Sequence, residues 1–113
     1  MKLTDAAVTH FADMFAALGA EPRLRIVRLL LSAHPDGMVV SEIQEETGIP
    51  GSTLSHHLEK LKIDELVTAE REKAYIRYRA NTEALQELLS FLYAECCTRN
   101  NAIEGKKILA LCK

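Results

Sequence analysis

Gly48-Ile49-Pro50-Gly51-Ser52-Thr53-Leu54-Ser55-His56-His57-Leu58-Glu59-Lys60-Leu61 is the stretch that decides the fold. Leu54, Leu58 and Leu61 recur at helical spacing and give it one apolar side. Ser52, Thr53, Ser55, His56 and Lys60 fall on or beside the opposite side. These are hydroxyls, an imidazole and an ammonium, groups that reach phosphates and base edges. His57 is expected to pack or support the backbone. Gly48 suits the tight turn after a preceding short helix, and Pro50 suits a helix start. The segment reads as the second, DNA-facing helix of a helix-turn-helix.

Toward the N-terminus, Ser41 with Glu42 next to it starts the short helix that ends at Gly48, with Ile43 as its buried contact. His34-Pro35-Asp36-Gly37 is a turn by composition. A helix begins near Glu21-Pro22 and runs through Leu31; it is apolar around most of its circumference, which predicts a central position. Residues 4–18 form a first helix, capped by Asp5 or Thr4 and stopped by Gly19. Its stripe is Val8, Phe11, Met14 or Phe15, and Leu18.

Toward the C-terminus, residues 66–71 read as a strand, Glu72-Lys73-Ala74 as a tip, and residues 75–79 as the return strand. A hairpin directly after a recognition helix makes a wing. Lys73 at the tip, with Arg71, Arg77 and Arg79 near it, is placed to meet phosphates or a minor groove. Taken alone, the same hairpin would read equally well as a solvated edge with ordinary charges. Asn81 or Thr82 then caps a long helix to about Thr98, with a stripe of Leu85, Leu88, Leu89 and Leu92 flanked by Phe91 and Tyr93. That helix and residues 4–18 are the candidate dimer face. The tail carries Ile103, Ile108, Leu109 and Leu111, enough for a short helix interrupted at Gly105. The predicted fold is mainly α with a β-hairpin wing, in the order α-α-α-α-β-β-α.

The totals bound this reading. With 113 residues the chain is expected to be one domain, 1–113, with a dimerisation helix at about 82–98 and a cysteine-bearing tail at 99–113. The net charge of −2 excludes a protein that coats nucleic acid indiscriminately. The charge is uneven: residues 1–51 hold four basic and seven acidic groups, and residues 52–80 hold six and five. No apolar segment opens the chain or is long enough to span a bilayer, so the expected location is the cytoplasm, with neither membrane nor RNA as partner. Three cysteines, an odd number in a reducing compartment, do not suggest a disulfide scaffold. No nucleophile–base–acid set and no glycine-rich phosphate loop is present, so no enzyme is expected.

Residues 17–26 (Ala17-Leu18-Gly19-Ala20-Glu21-Pro22-Arg23-Leu24-Arg25-Ile26), the stretch 48–61 with its Ser52-Thr53-Leu54-Ser55-His56-His57-Leu58 run, and the 66–79 hairpin together resemble the ArsR/SmtB family of bacterial metal-sensing repressors. The resemblance covers roughly residues 10–92. It implies a winged-helix homodimer joined through its first and last helices. It also implies an apo-protein that sits on operator DNA and leaves when an inducer binds.

The family places inducer sites at several positions. The founding arsenic repressors carry a Cys-Val-Cys-Asp-Leu run; here the matching segment is Val39-Val40-Ser41-Glu42-Ile43, without cysteine. The family's zinc sensors carry histidines on the last helix; here that helix has Glu83, Glu87 and Glu95 and no histidine. Cys96, Cys97 and Cys112 remain. Thiolates are soft ligands. Trivalent arsenic takes up to three of them in a pyramid, whereas Zn(II) usually completes a tetrahedron. The expectation is therefore a repressor with no required cofactor, induced by As(III) or a related soft metalloid such as Sb(III) or methylarsenite. Adjacent helix residues point about 100° apart, so Cys96 and Cys97 converge on one atom only if the helix end loosens or stops near them. The competing readings are buried or inert thiols, thiol-redox sensing with Cys112 as the resolving partner, and another soft ion such as Cd(II) or Pb(II). A winged-helix interaction module without DNA binding is the alternative from a different class.

Overall fold

The computed structural model of the chain describes residues 4–99 and 103–110, and the side chains among these except those of 95–99, 109 and 110. The elements run α1 (Asp5–Leu18), α2 (Glu21–Ser32), β1 (Met38–Val39), α3 (Val40–Thr47), α4 (Gly51–Ile63), β2 (Val67–Glu72), β3 (Tyr75–Ala80), α5 (Thr82–Arg99) and α6 (Gly105–Ala110). This is a mainly helical winged helix-turn-helix.

Thr4, not Asp5, caps α1, accepting the Ala7 N–H on its hydroxyl at 3.1 Å. Gly19 ends α1 with an ordinary right-handed φ of −71°. The exposed carbonyl of Ala17 near that end is met by Arg23, whose Nε donates to it at 2.6 Å. Pro22 sits in the first turn of α2, where a missing N–H costs nothing.

The strand β1 was not visible in the hydrophobic pattern, because two residues are too few to alternate. It pairs antiparallel with β3, Met38 against Tyr78 and Val39 against Arg77, so the wing is a three-stranded sheet in the order β1-β3-β2. This strand also moves the start of the third helix. Ser41 is not its cap: α3 begins at Val40, directly out of the strand. The Val39 N–H donates to Glu42 Oε1 at 3.0 Å, half of a capping box, since valine offers no acceptor in return.

Gly48 closes α3 at φ 72°, the left-handed conformation a glycine adopts without strain. At the end of α4, Glu65 takes a similar conformation, φ 63°, without being glycine. There the Leu66 N–H reaches the Leu61 carbonyl at 2.9 Å and the Glu65 N–H reaches that of Lys62 at 3.1 Å, a Schellman closure. Leu61 and Leu66, which this closure brings together, are both fully buried.

The core is built from one side of each helix: Met14 and Ala17 of α1, Ile26, Val27 and Leu30 of α2, Ile43 of α3, Leu54, Leu58 and Leu61 of α4, and Ala84 and Leu88 of α5, closed by Leu66, Val67 and Ala80. No polar side chain is buried among the described residues. The helix α2 touches α1, α3, α4 and β3 and is central as expected, but not buried all round: Leu24 and Leu31 are exposed. Asn81 caps α5, accepting the Ala84 N–H, while its amide donates to the Glu65 carbonyl at 2.9 Å. In the tail, Gly105 opens α6 rather than interrupting it.

Candidate nucleic-acid interface

The apolar side of α4 packs into the core, and this fixes what its other side presents. Ser52, Thr53, Ser55, His56 and Lys60 are all exposed, as the period requires. The helix opens at Pro50, which supplies no side-chain acceptor. The first backbone bond is from the Leu54 N–H to the Pro50 carbonyl, at 2.8 Å. The N–H groups of Gly51, Ser52 and Thr53 therefore have no acceptor within the helix, and with the hydroxyls of Ser52 and Thr53 they form a donor cluster suited to a phosphate.

The charges of α4 are more restrained than the sequence suggests. Lys60 Nζ lies 3.0 Å from Asp64 Oδ2, and Lys62 Nζ lies 3.6 Å from Glu59 Oε2. Both ammonium groups are solvated and paired one helical turn away, so each can be redirected at small cost. Ser55 donates its hydroxyl to the Gly51 carbonyl at 3.1 Å. His56 is exposed, whereas His57 is half-buried. Burial pushes the pKa of His57 below the ordinary imidazole value, and Arg23 and then His56 push it the same way. His57 is thus a neutral group on the inner edge, as expected for a packing residue.

The wing divides its four cations. Arg71 is exposed on β2, and Lys73 is exposed at the tip with φ 54°. Arg77, expected among the phosphate contacts, is instead committed inward. Its Nε donates to Glu72 Oε1 at 3.0 Å, and this bond raises its pKa above the ordinary arginine value. Arg79 likewise donates its Nε to the Pro35 carbonyl at 3.1 Å. Tyr78 packs against the core, while Tyr75 is exposed.

A second surface lies away from α4. Val8 and Phe15 of α1, Leu24 and Leu31 of α2, and Leu89 and Leu92 of α5 are all exposed, Leu89 by 65%. Part of this surface is a cleft of about 430 Å³ lined by Phe15, Leu24, Val27, Leu31, Leu85 and Leu89 among others. Exposed apolar area of this kind marks an interaction surface. It includes α2 as well as the two helices that the sequence pointed to.

Of the sulfur ligands, Cys96 and Cys97 lie within α5 by backbone, since that helix continues to Arg99. Their side chains, and Cys112 altogether, fall outside what the structure describes. Among the described residues no three His, Cys, Asp or Glu groups gather as a metal site, and no helix is long and apolar enough to cross a membrane. Arg23, which joins α1 to α2 and faces His57, is the residue that the sequence reading missed. The only signal was its place after Leu18-Gly19.

A helix-turn-helix domain model matches residues 12–69. The chain is 32% identical over 87 residues to the HTH-type transcriptional regulator KmtR of Mycobacterium tuberculosis, covering 77% of this chain and 65% of that one. The chain thus spans about two thirds of that relative's length. It is 30% identical over 80 residues to the transcriptional repressor SdpR of Bacillus subtilis, covering 71% and 86%. Among solved structures, it is similar to the homodimeric winged helix-turn-helix DNA-binding domain of a possible ArsR-family transcriptional regulator from Mycobacterium bovis. The TM-score there is 0.65 at 27% identity, over 88% of this chain and 92% of that one.

Proposed function

Because the chain belongs to the helix-turn-helix transcriptional regulators of the ArsR type, we propose that it is a homodimeric, operator-binding repressor released by a trivalent arsenical. The observation that carries the DNA half is the outward face of α4: a donor-rich helix start and a run of exposed hydroxyls and imidazole, backed by a fully buried leucine side. Two such helices in a dimer enter successive major grooves about 34 Å apart on a near-palindromic site. The exposed apolar surface of α1, α2 and α5 supports the dimer, since a second copy would remove it from water.

The inducer half rests on donor chemistry. Cys96, Cys97 and Cys112 are soft ligands, and As(III) binds thiolates without needing nitrogen or oxygen. Because α5 runs helically past both Cys96 and Cys97, gathering their sulfurs requires the last turn of that helix to unwind or the partner chain to contribute. Either change alters the helix that joins the subunits, and through it the spacing of the two α4 helices. A coupling of about 1–3 kcal/mol between operator and inducer suffices, and it must be reciprocal.

The test is an anisotropy titration of labelled promoter DNA with the reduced full chain, with and without arsenite. Operator affinity should fall at saturating arsenite, and Cys96→Ser or Cys97→Ser should retain binding but lose the response. Unchanged affinity in arsenite removes the inducer assignment. Loss of binding on mild thiol oxidation without any arsenite response moves the sensor to redox chemistry. Absence of salt-dependent DNA binding removes the repressor itself.

A further inference from the structure

Arg77 and Arg79 expose only 27% and 31% of their side chains, unlike the cations at the wing tip. Each bridges the wing to a turn some forty residues away. Arg77 binds Glu72 through Nε, while its Nη1 donates to the carbonyls of Asp36 and Gly37 at 3.4 and 3.5 Å. Arg79 donates to the Pro35 carbonyl through Nε, and its Nη1 and Nη2 lie 3.5 Å from Glu70 Oε1 and 3.9 Å from Glu72 Oε2. Two guanidinium forks thus join the wing carboxylates to the α2–β1 turn.

The same turn is pressed against β3. Gly37 has φ 72°, and a Cβ on it would run into the Tyr78 carbonyl and lie 2.6 Å from Arg79 Cγ. No side chain fits between turn and strand. A hairpin alone is marginal and free to swing, whereas here its inner strand is held at β1, at Gly37 and by both forks. A fork that donates in several directions at once is a job for arginine; a lysine ammonium is a point charge and cannot replace it.

We infer that Arg77 and Arg79 are positioning residues that lock the wing to the α2–β1 turn, and that the phosphate contacts of the wing belong to Arg71 and Lys73. This rests on the operator-binding reading above for its consequence, though not for the lock itself. Holding the wing at one angle to α4 lets the tip reach the backbone while α4 lies in the groove. The carboxylates of Glu70 and Glu72 serve the lock and take Arg77 and Arg79 out of the phosphate count.

Two measurements on the full chain test this: operator affinity over a salt series, and amide hydrogen exchange without DNA. Arg71→Gln and Lys73→Gln should each lower the slope of log affinity against log salt by about 0.9, as one lost phosphate contact does. Arg77→Gln and Arg79→Gln should weaken binding several-fold with the slope unchanged, and Arg77→Lys should behave like Arg77→Gln although its charge is kept. In exchange, the amides of residues 38–39 and 77–79 should open faster in Arg77→Gln and Arg79→Gln, and not in Arg71→Gln or Lys73→Gln. Glu72→Gln should speed the same amides, and it stands in should an arginine variant fail to fold. A slope lowered by Arg77→Gln and restored by Arg77→Lys makes Arg77 a phosphate contact and overturns the inference, as does unchanged exchange. If the wild-type chain binds no DNA, the operator reading fails, and the lock is decided by exchange alone.

Discussion

The outward face of α4 and the wing both carry cations beside a DNA-reading surface, yet they handle those charges differently. On α4, Lys60 and Lys62 pair one turn away with Asp64 and Glu59, in solvent, and can be redirected cheaply. On the wing, Arg77 and Arg79 pair across strands and with the carbonyls of a distant turn, half sheltered. A helix arranges its neighbours by local spacing, so its exposed groups stay available. A short sheet has little core of its own and recruits charged side chains to hold it in place.

The comparison can be broken hardest from beneath α4. Leu58 is almost fully buried, so Leu58→Ala should cost about 2–5 kcal/mol of unfolding free energy in a denaturant titration. A loss under about 1 kcal/mol would mean that the helix is not anchored as described. The anchor of the wing is probed next. Gly37→Ala should cost about 1–3 kcal/mol, since it adds a Cβ both at positive φ and against the Tyr78 carbonyl. Gly48→Ala has the same φ but open space around it, so it should cost only about 1 kcal/mol. Equal costs at the two positions would show that the turn is not pressed on β3.

The joint between the two regions is Glu65. Glu65→Gly should relieve its left-handed strain and stabilise the fold by up to about 1 kcal/mol, read as a raised melting temperature. A lowered melting temperature would show that the Glu65 side chain contributes more than its backbone costs. The smallest effect concerns His57. In the unfolded chain it takes a proton near its ordinary value of 6.5, while the folded protein keeps it neutral to lower pH. Between those two values the unfolded state binds more protons, so stability should fall as pH falls through that window. His57→Gln should flatten the decline, and an unchanged pH profile would argue against a sheltered imidazole.

Most of the architecture was legible because it is local. Leu54, Leu58 and Leu61 repeat at the helical period, and all three are in the core. Gly19, Pro22, Gly48 and Asn81 sit at helix ends where their backbone or side-chain chemistry belongs. The dimer stripe on α5 was less legible, because one set of leucines serves two surfaces: Leu88 turns into the protein's own core, while Leu89 and Leu92 stay outside. Periodicity marks such residues as apolar without saying which surface each will meet. Leu24 and Leu31 on α2 show the same limit, since a helix apolar on most sides can be central and still leave one flank open.

From the chain alone came the helix-turn-helix, its reading face, the hairpin and the helix boundaries, for each depends on residues within a turn or two of one another. The partners of Arg23, Arg77 and Arg79 and the two-residue strand β1 came only with the tertiary structure. Those contacts join the wing to a turn about forty residues earlier and one helix to the next. No spacing in the sequence encodes a distance that exists only once the core has closed between them.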